Sequence, residues 1–219
     1  MSDEKTQWRI IGASNHFSGE REENDYYATD PIAIDKLLSV EYPQHRIWEC
    51  ASGGGHLSKR LEEYGFFVFS TDIVDRGYCD EIVDFLNEEP RNGFNVQPLF
   101  GRDQIAFDII TNPPYKYATE FVLRALELLP ARCKCYMFLK LTFLESEKRF
   151  KQIFKDNPPI RIHVFSKRVA CAKNGDFSRV KESGGSVPPM LGLFGKRAIK
   201  ARQRWTGYET LCNVEWWQG

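Results

Sequence analysis

The sequence predicts an α/β fold, a doubly wound and mostly parallel sheet with helices on both faces. Short apolar segments alternate with segments of helical periodicity between residues 46 and 165. This alternation is typical of parallel strands joined by helical crossovers. The strand expected at residues 66–72 begins with four consecutive apolar residues, as expected for a strand that is covered on both faces.

The helices and strands can be predicted in order along the chain. Thr29, Asp30 and Pro31 indicate the start of a first helix, because Thr or Asp caps free amides and proline fits the first turn. Leu57 and Leu61 mark a second helix. We expect strands at residues 46–50, 66–72, 105–110, 135–141 and 160–165, and further helices at 118–129 and 145–154.

The 219 residues suffice for one domain with a substantial core. Residues 1–25 are polar and predict a loose N-terminal arm before a main domain at 26–189. The tail at 190–219 is atypical, since residues 190–204 hold two glycines and five basic residues, which pack poorly inside a strand. We therefore expect a disrupted C-terminal strand, missing or short, with residues 196–204 exposed.

Composition limits the classes of function. Lys and Arg total 30, as do Asp and Glu, so the basic excess common among nucleic-acid-binding proteins is absent. No apolar run approaches the roughly 18 residues of a membrane helix, and we expect a cytoplasmic protein without membrane contact. The six cysteines and four histidines follow no ligand spacing, so no metal site is predicted.

A glycine-rich turn follows the first predicted strand. Its glycines let a ligand approach the backbone closely, but the spacing G-x-G-x-x-G of dinucleotide sites is absent. Asp72 ends the next strand, where a carboxylate can accept both hydroxyls of a ribose. Asp84 could accept from an adenine amine, with Ile73 or Phe85 against the ring. The set predicts a nucleoside cofactor bound by Glu49, Ala51, Gly53, Gly55, Asp72, Ile73, Asp84 and Phe85.

The strand predicted at 105–110 ends in the motif Asn112, Pro113, Pro114 and Tyr115. Two prolines stop the strand abruptly, because proline cannot donate to the ladder. One interpretation is a rigid terminating turn with a surface tyrosine. The other is a catalytic turn, since the motif follows both an apolar strand and the glycine-rich turn.

In this motif the sequence resembles the Asn/Asp-Pro-Pro-Tyr class of amino-group methyltransferases. It is most similar to small phage- and prophage-type DNA adenine methyltransferases, over roughly residues 24 to 187. The resemblance implies a Rossmann-like methyltransferase fold, S-adenosylmethionine as cofactor and transfer to the N6 amine of adenine in DNA. It also implies that Asn112 and the Pro113 carbonyl accept the two amine N–H bonds, and that Tyr115 stacks on the extruded base.

The resemblance extends to two further regions. It implies that Tyr27, Thr29 and Pro31 lie near the methionine end of the cofactor. The basic segment 167–187 reads as a long loop that carries Lys173, Arg179 and Lys181. We expect this loop to contact the DNA backbone, and a solvated surface loop is the alternative.

The tail departs from the class. Its members end in a strand-like segment rich in tryptophan, whereas residues 190–200 read MLGLFGKRAIK. One set of codons for this stretch, regrouped by one base, restores the tryptophan-rich pattern. We hypothesise a frame slip shortly before Met190, and a divergent but functional tail is the alternative.

Three other functions fit the same residues. The Asn-Pro-Pro-Tyr motif also serves the methylation of RNA adenine and of glutamine amides in proteins. A non-catalytic protein that binds nucleic acid or the cofactor is the third.

Overall fold

The computed structural model describes residues 26–88, 106–165, 169–173, 175, 177, 189–195 and 213–217, of which 173, 189–195 and 213–217 are described as backbone alone. Within these ranges the strands are β1 (Tyr27–Thr29), β2 (Arg46–Glu49), β3 (Phe67–Asp72), β4 (Glu81–Ile82), β5 (Asp108–Thr111), β6 (Lys134–Lys140), β7 (Arg161–Phe165), β8 (Cys171–Lys173), β9 (Pro189–Gly195) and β10 (Asn213–Trp217). The helices are α1 (Ile32–Leu38), α2 (His56–Glu63), α3 (Ala118–Leu128) and α4 (Glu147–Arg149).

Eight of the described strands form one sheet in the order β10-β7-β9-β6-β5-β2-β3-β4. Strand β9 is antiparallel to both of its neighbours, and the other pairs are parallel. The chain moves outward from β2 through β3 to β4, and then returns to β5 on the other side of β2. This topology confirms the doubly wound, Rossmann-like prediction, and it puts the switch in strand order between β2 and β5.

Two hydrophobic clusters cover the two faces of the sheet. Ile47 of β2 packs with the apolar side chains of α1 and α2, whereas the adjacent Trp48 packs with α3. The same alternation separates Ile110 from Ile109 in β5. Because successive strand residues point to opposite faces, the two central residues of each strand are both apolar.

The first helix begins at the predicted start signal, although Thr29 is not part of its cap. Thr29 lies in β1, and α1 starts at Ile32. Asp30 still caps the helix, because its Oδ1 accepts the Ile32 N–H at 3.0 Å. The helix predicted at 145–154 is α-helical only in α4 and continues as a π-helix, Phe150–Phe154.

The prediction of an irregular loop at 167–187 is wrong at its start. Strand β8 pairs antiparallel with β1, in the register Thr29 to Cys171 and Tyr27 to Lys173. Val169, Cys171 and Ala172 are buried. The apolar run of residues 169–172 is short and lies between charged residues. For this reason the sequence pattern did not indicate a strand.

The expected loss of the last strand is not observed. Residues Pro189–Gly195 form β9, whose backbone pairs with both β6 and β7. A further strand, β10, pairs with β7. Two flanking ladders compensate for the weak strand preference of the glycines. The structural reason for the frame-slip hypothesis, a missing last strand, is therefore removed. Residues 196–204, which we expected to be exposed, lie outside the described residues.

Candidate functional site

A pocket of about 340 Å³ lies at the carboxyl ends of β2, β3 and β5, next to the switch in strand order. Ligands of open α/β sheets bind at this position. The pocket brings together both predicted sets of residues. Those that line it are Tyr27, Thr29, Glu49, Ala51, Asp72, Ile73, Asp84, Phe85, Asn112, Pro113, Pro114 and Tyr115.

The glycine-rich turn follows β2, and its first residues, Ala51 and Ser52, line the pocket. Gly53 and Gly55 have φ angles of +54° and +75°, which other residues rarely adopt. A Cβ on Gly53 would collide with the Tyr26 ring. The Tyr26 hydroxyl accepts the Gly54 N–H at 2.9 Å, so the aromatic side chain covers the turn directly. Neither Gly53 nor Gly55 lines the pocket itself.

Asp72 joins the glycine turn to the end of β3. Its Oδ2 accepts the Gly53 N–H at 2.8 Å, and its Oδ1 accepts from the Val74 N–H at 3.0 Å and from Arg76 Nη1 at 3.2 Å. The residue is 7% exposed. The carboxylate is therefore fixed in orientation at the pocket wall.

Glu49 lies at the end of β2 and is buried. The Ser58 hydroxyl donates to its Oε2. Burial raises the pKa of Glu49 to about 8, and the nearby negative charges of Asp72 and Glu62 act in the same direction. The pocket thus holds a carboxyl group that is largely neutral at pH 7, and a bound cation would favour its ionised form.

The raised pKa of Glu49 predicts a dependence of stability on pH. The folded protein retains a proton between pH 4.5 and 8 that the unfolded chain releases, so the free energy of unfolding falls as pH rises through this window. At about 1.4 kcal/mol per pKa unit, the loss reaches about 5 kcal/mol above pH 8. Glu49→Gln removes it, and urea unfolding of both proteins from pH 4.5 to 8.5 measures the difference. Parallel curves for the two proteins would contradict a buried, protonated Glu49.

Phe85 and Asp84 form the side of the pocket after β4. Phe85 is buried, with its ring centroid 5.2 Å from that of Trp48 and 5.0 Å from that of Phe121. Asp84 caps its own turn, because its Oδ1 accepts the Leu86 N–H at 3.1 Å. These contacts give the pocket a rigid aromatic wall with a carboxylate at its edge.

The proline-rich turn follows β5 on the opposite side of the pocket. Asn112 Nδ2 donates to Thr29 Oγ1 at 2.7 Å. Asn112 Oδ1 is buried, and no described residue donates a hydrogen bond to it. The Nζ of Lys140 lies 4.7 Å from the centroid of the Tyr115 ring. A buried acceptor without a donor is costly, so Asn112 Oδ1 indicates a ligand that donates.

Lys173, Arg179 and Lys181 are the basic residues that we expect to contact the substrate, and the structure describes only the first of them. Lys173 is the last residue of β8 and is described as backbone. Arg179 and Lys181 lie outside the described residues. Within the described ranges there is no cluster of three side chains able to hold a metal ion. No described helix is long and apolar enough to cross a membrane.

Comparisons with solved structures return proteins named as methyltransferases. A protein of Listeria monocytogenes named as a class I S-adenosylmethionine-dependent methyltransferase aligns at 11% identity and a TM-score of 0.47, over 84% of this chain and 63% of its own. The 23S rRNA methyltransferase ErmE aligns at 15% identity and 0.49, over 79% and 70%. A protein of Clostridium thermocellum named as an rRNA methylase aligns at 12% and 0.42, over 77% and 97%.

The chain thus spans less than two thirds of the length of the Listeria protein. No family model and no curated protein matches the sequence. The fold is Rossmann-like. That assignment rests on the strand order and directions of the sheet itself.

Sequence reasoning missed several residues that line the pocket. They include Tyr26, His56, Arg76, Asn87, Tyr117 and Phe121. His56 and Arg76 stand within four residues of predicted site residues, so their positions in the chain were an available signal. Phe121 reaches the pocket from α3, and nothing in its local sequence distinguishes it from an ordinary core residue.

Proposed function

We propose that the protein transfers a methyl group from S-adenosylmethionine to the N6 amine of adenine in DNA. The observation that carries this proposal is the buried Asn112 Oδ1, which no described residue satisfies. It belongs to a rigid turn at the pocket, next to the carbonyl of Pro113. Two neighbouring acceptors suit the two N–H bonds of one amine.

The chemistry requires orientation more than acid–base help. The lone pair of an aromatic amine is delocalised into its ring, which makes the nitrogen a poor nucleophile. Acceptors on Asn112 and Pro113 would favour a pyramidal nitrogen whose lone pair points away from the ring. S-adenosylmethionine supplies an electrophilic methyl group on a positive sulfonium. Correct positioning of the two reactants can then contribute much of the rate.

The residues of the pocket fit this cofactor. The pocket volume of about 340 Å³ lies within the range of small-molecule sites. Glu49 is a buried carboxyl group at the same edge of the sheet, suited to a cationic ligand. Phe85 offers an aromatic wall for a nucleoside base.

Asp72 is the proposed ligand of the ribose hydroxyls. A carboxylate has about four acceptor positions, and three donors already occupy this one. Two ribose hydroxyls therefore require one donor to leave. The Arg76 side chain is the exchangeable donor, because it is 20% exposed and its bond is the longest of the three.

Replacing Asp72 by alanine should weaken cofactor binding about 10- to 150-fold, the equivalent of about 1.5–3 kcal/mol for hydrogen bonds to a charged group. Isothermal titration with S-adenosylmethionine measures this change. Asp75→Ala is the matched control, since Asp75 is exposed and only caps the Gly77 N–H at 2.7 Å. Unchanged affinity in Asp72→Ala would remove Asp72 from the cofactor site.

The choice of DNA rests on the sequence resemblance. An adenine in a duplex has to leave the base stack before its amine can reach a pocket of this depth. Tyr115 would stack on the extruded base, and the basic segment with Lys173, Arg179 and Lys181 would contact phosphates. RNA adenine and a protein glutamine amide remain competing substrates, because each also presents an amine with two N–H bonds.

One reaction separates these functions. The protein is incubated with S-adenosylmethionine labelled at the methyl group and with DNA, RNA or protein as acceptor. The proposal expects label on DNA adenine above the level on the other two. Label on RNA alone or on protein alone would show that this acceptor, and not DNA, is the substrate. Cofactor binding without any transfer would favour the non-catalytic alternative.

A further inference from the structure

We propose that Thr29 is a positioning residue, which holds the Asn112 amide with its oxygen towards the substrate amine. This inference rests on the proposed function and concerns a residue distant in the sequence from the catalytic turn. Asn112 Nδ2 donates to Thr29 Oγ1 at 2.7 Å across 83 residues of chain. Thr29 is 3% exposed, so water does not compete for this bond.

The position of Thr29 is fixed by backbone pairing. Strand β1 pairs with β8 in the register Thr29 to Cys171. The Asp30 N–H extends this contact by donating to the Ala170 carbonyl at 2.9 Å. The short ribbon of β1 and β8 is therefore part of the catalytic arrangement, because it fixes the position of the Thr29 hydroxyl that accepts the Asn112 hydrogen bond.

The direction of the bond follows from the neighbours of Thr29. Burial raises the pKa of the Cys171 thiol, and the nearby hydroxyls of Thr29 and Tyr115 act in the opposite direction. The Thr29 hydroxyl has one proton and can give it to the sulfur of Cys171, which leaves its oxygen free to accept from Asn112.

The orientation of the amide decides what the substrate meets. With Nδ2 on Thr29, the remaining oxygen is an acceptor, as a substrate N–H requires. Rotation of the amide by half a turn would exchange the two atoms and present a second donor to the amine. Two donors facing each other cannot form a hydrogen bond, so the rotated amide is inactive.

The test compares Thr29→Val with Thr29→Ser. Valine keeps the branched shape and suits a strand, but it removes the hydroxyl, whereas serine retains it. We expect single-turnover methyl transfer at saturating cofactor to fall about 100-fold in Thr29→Val, the scale of a misplaced catalytic group. Thr29→Ser should recover most of the rate. The dissociation constant for S-adenosylmethionine should stay within about 3-fold.

A second measurement does not depend on activity. Asparagine labelled with ¹⁵N gives a side-chain amide signal for Asn112, which Asn112→Asp identifies by its loss. In the wild type the bonded amide protons should exchange slowly with solvent. Thr29→Val should accelerate this exchange, and Thr29→Ser should leave it slow. Thermal melting of both variants verifies that they are folded.

The outcomes are distinguishable from failure of the proposed function. If the wild type methylates no adenine but Thr29→Val still accelerates exchange of the Asn112 amide, the function fails and the positioning contact stands. An exchange rate unchanged in a folded Thr29→Val overturns the inference. It is overturned equally if Thr29→Val loses cofactor affinity but transfers at the wild-type rate under saturation, because Thr29 would then be a cofactor ligand.

Discussion

Replacement of Asn112 by alanine is expected to lower the rate of methyl transfer about 100- to 1000-fold, the loss seen when one preorganised polar group is removed from reacting atoms. The amide supplies the buried acceptor at the pocket. Its side chain bonds Thr29 and not the glycine turn, so cofactor binding should change little. We therefore expect kcat, measured at saturating S-adenosylmethionine, to fall, and the affinity for the cofactor to stay nearly constant.

Asn112→Asp is the matched control for this experiment. A carboxylate keeps an acceptor at the same position but cannot donate to Thr29 Oγ1, so we expect partial activity between those of alanine and the wild type. Titration of both variants with S-adenosylmethionine reports the integrity of the cofactor site. If Asn112→Ala methylates adenine at the wild-type rate, the proposed orientation of the amine is wrong.

Replacement of Tyr115 by alanine should raise the KM for DNA and lower kcat/KM about 5- to 150-fold, as stacking of a base on an aromatic ring contributes about 1–3 kcal/mol. Tyr115 lines the pocket beside the proline-rich turn. Lys140 lies over one face of the ring, at 4.7 Å from the centroid. We propose that the target base stacks on this ring.

The controls for Tyr115 separate its ring from its hydroxyl. Tyr115→Phe keeps the aromatic surface and loses only the hydroxyl, so KM for DNA should stay close to that of the wild type. Tyr42→Ala removes a tyrosine that is 88% exposed and does not line the pocket, and it should have no effect. Equal KM values for Tyr115→Ala and the wild type would exclude stacking on this residue.

The sequence was sufficient to predict the central parallel strands and about half of the residues that line the pocket. Glu49, Asp72 and Asn112 each follow or end an apolar strand, and the carboxyl ends of parallel strands meet at one edge of a sheet. No knowledge of side-chain packing is required for that step. This is why a glycine turn, a strand-end carboxylate and a proline-rich turn could be assigned to one site.

Contacts between distant segments were beyond the reach of local patterns. The bond between Asn112 and Thr29 depends on the pairing of β1 with β8, and both strands have three residues. Strands this short have no detectable periodicity. Strand β9 contains Gly192 and Gly195, which argue against a strand locally, yet it is paired along both edges. Tertiary pairing outweighs intrinsic preference in such cases.

The same limit applies to the charge state of the pocket. The sequence identifies Glu49 as a carboxyl group near the glycine turn, and an isolated glutamate would be ionised at pH 7. Burial and the nearby Asp72 charge raise its pKa to about 8, although the hydrogen bond from Ser58 acts in the opposite direction. That environment is produced by three separate elements, so its effect can be derived only from the folded chain.

Nucleoside analysis of methylated DNA tests the central claim most directly. Two oligonucleotides of the same sequence are compared, one with adenine and one with purine, which lacks the exocyclic amine, at every adenine position. After reaction with S-adenosylmethionine, the DNA is digested and the nucleosides are identified by mass spectrometry. We predict N6-methyladenine from the first oligonucleotide and no methylated nucleoside from the second. Methyl groups on the purine DNA, or on a base other than adenine in the first, would contradict the account.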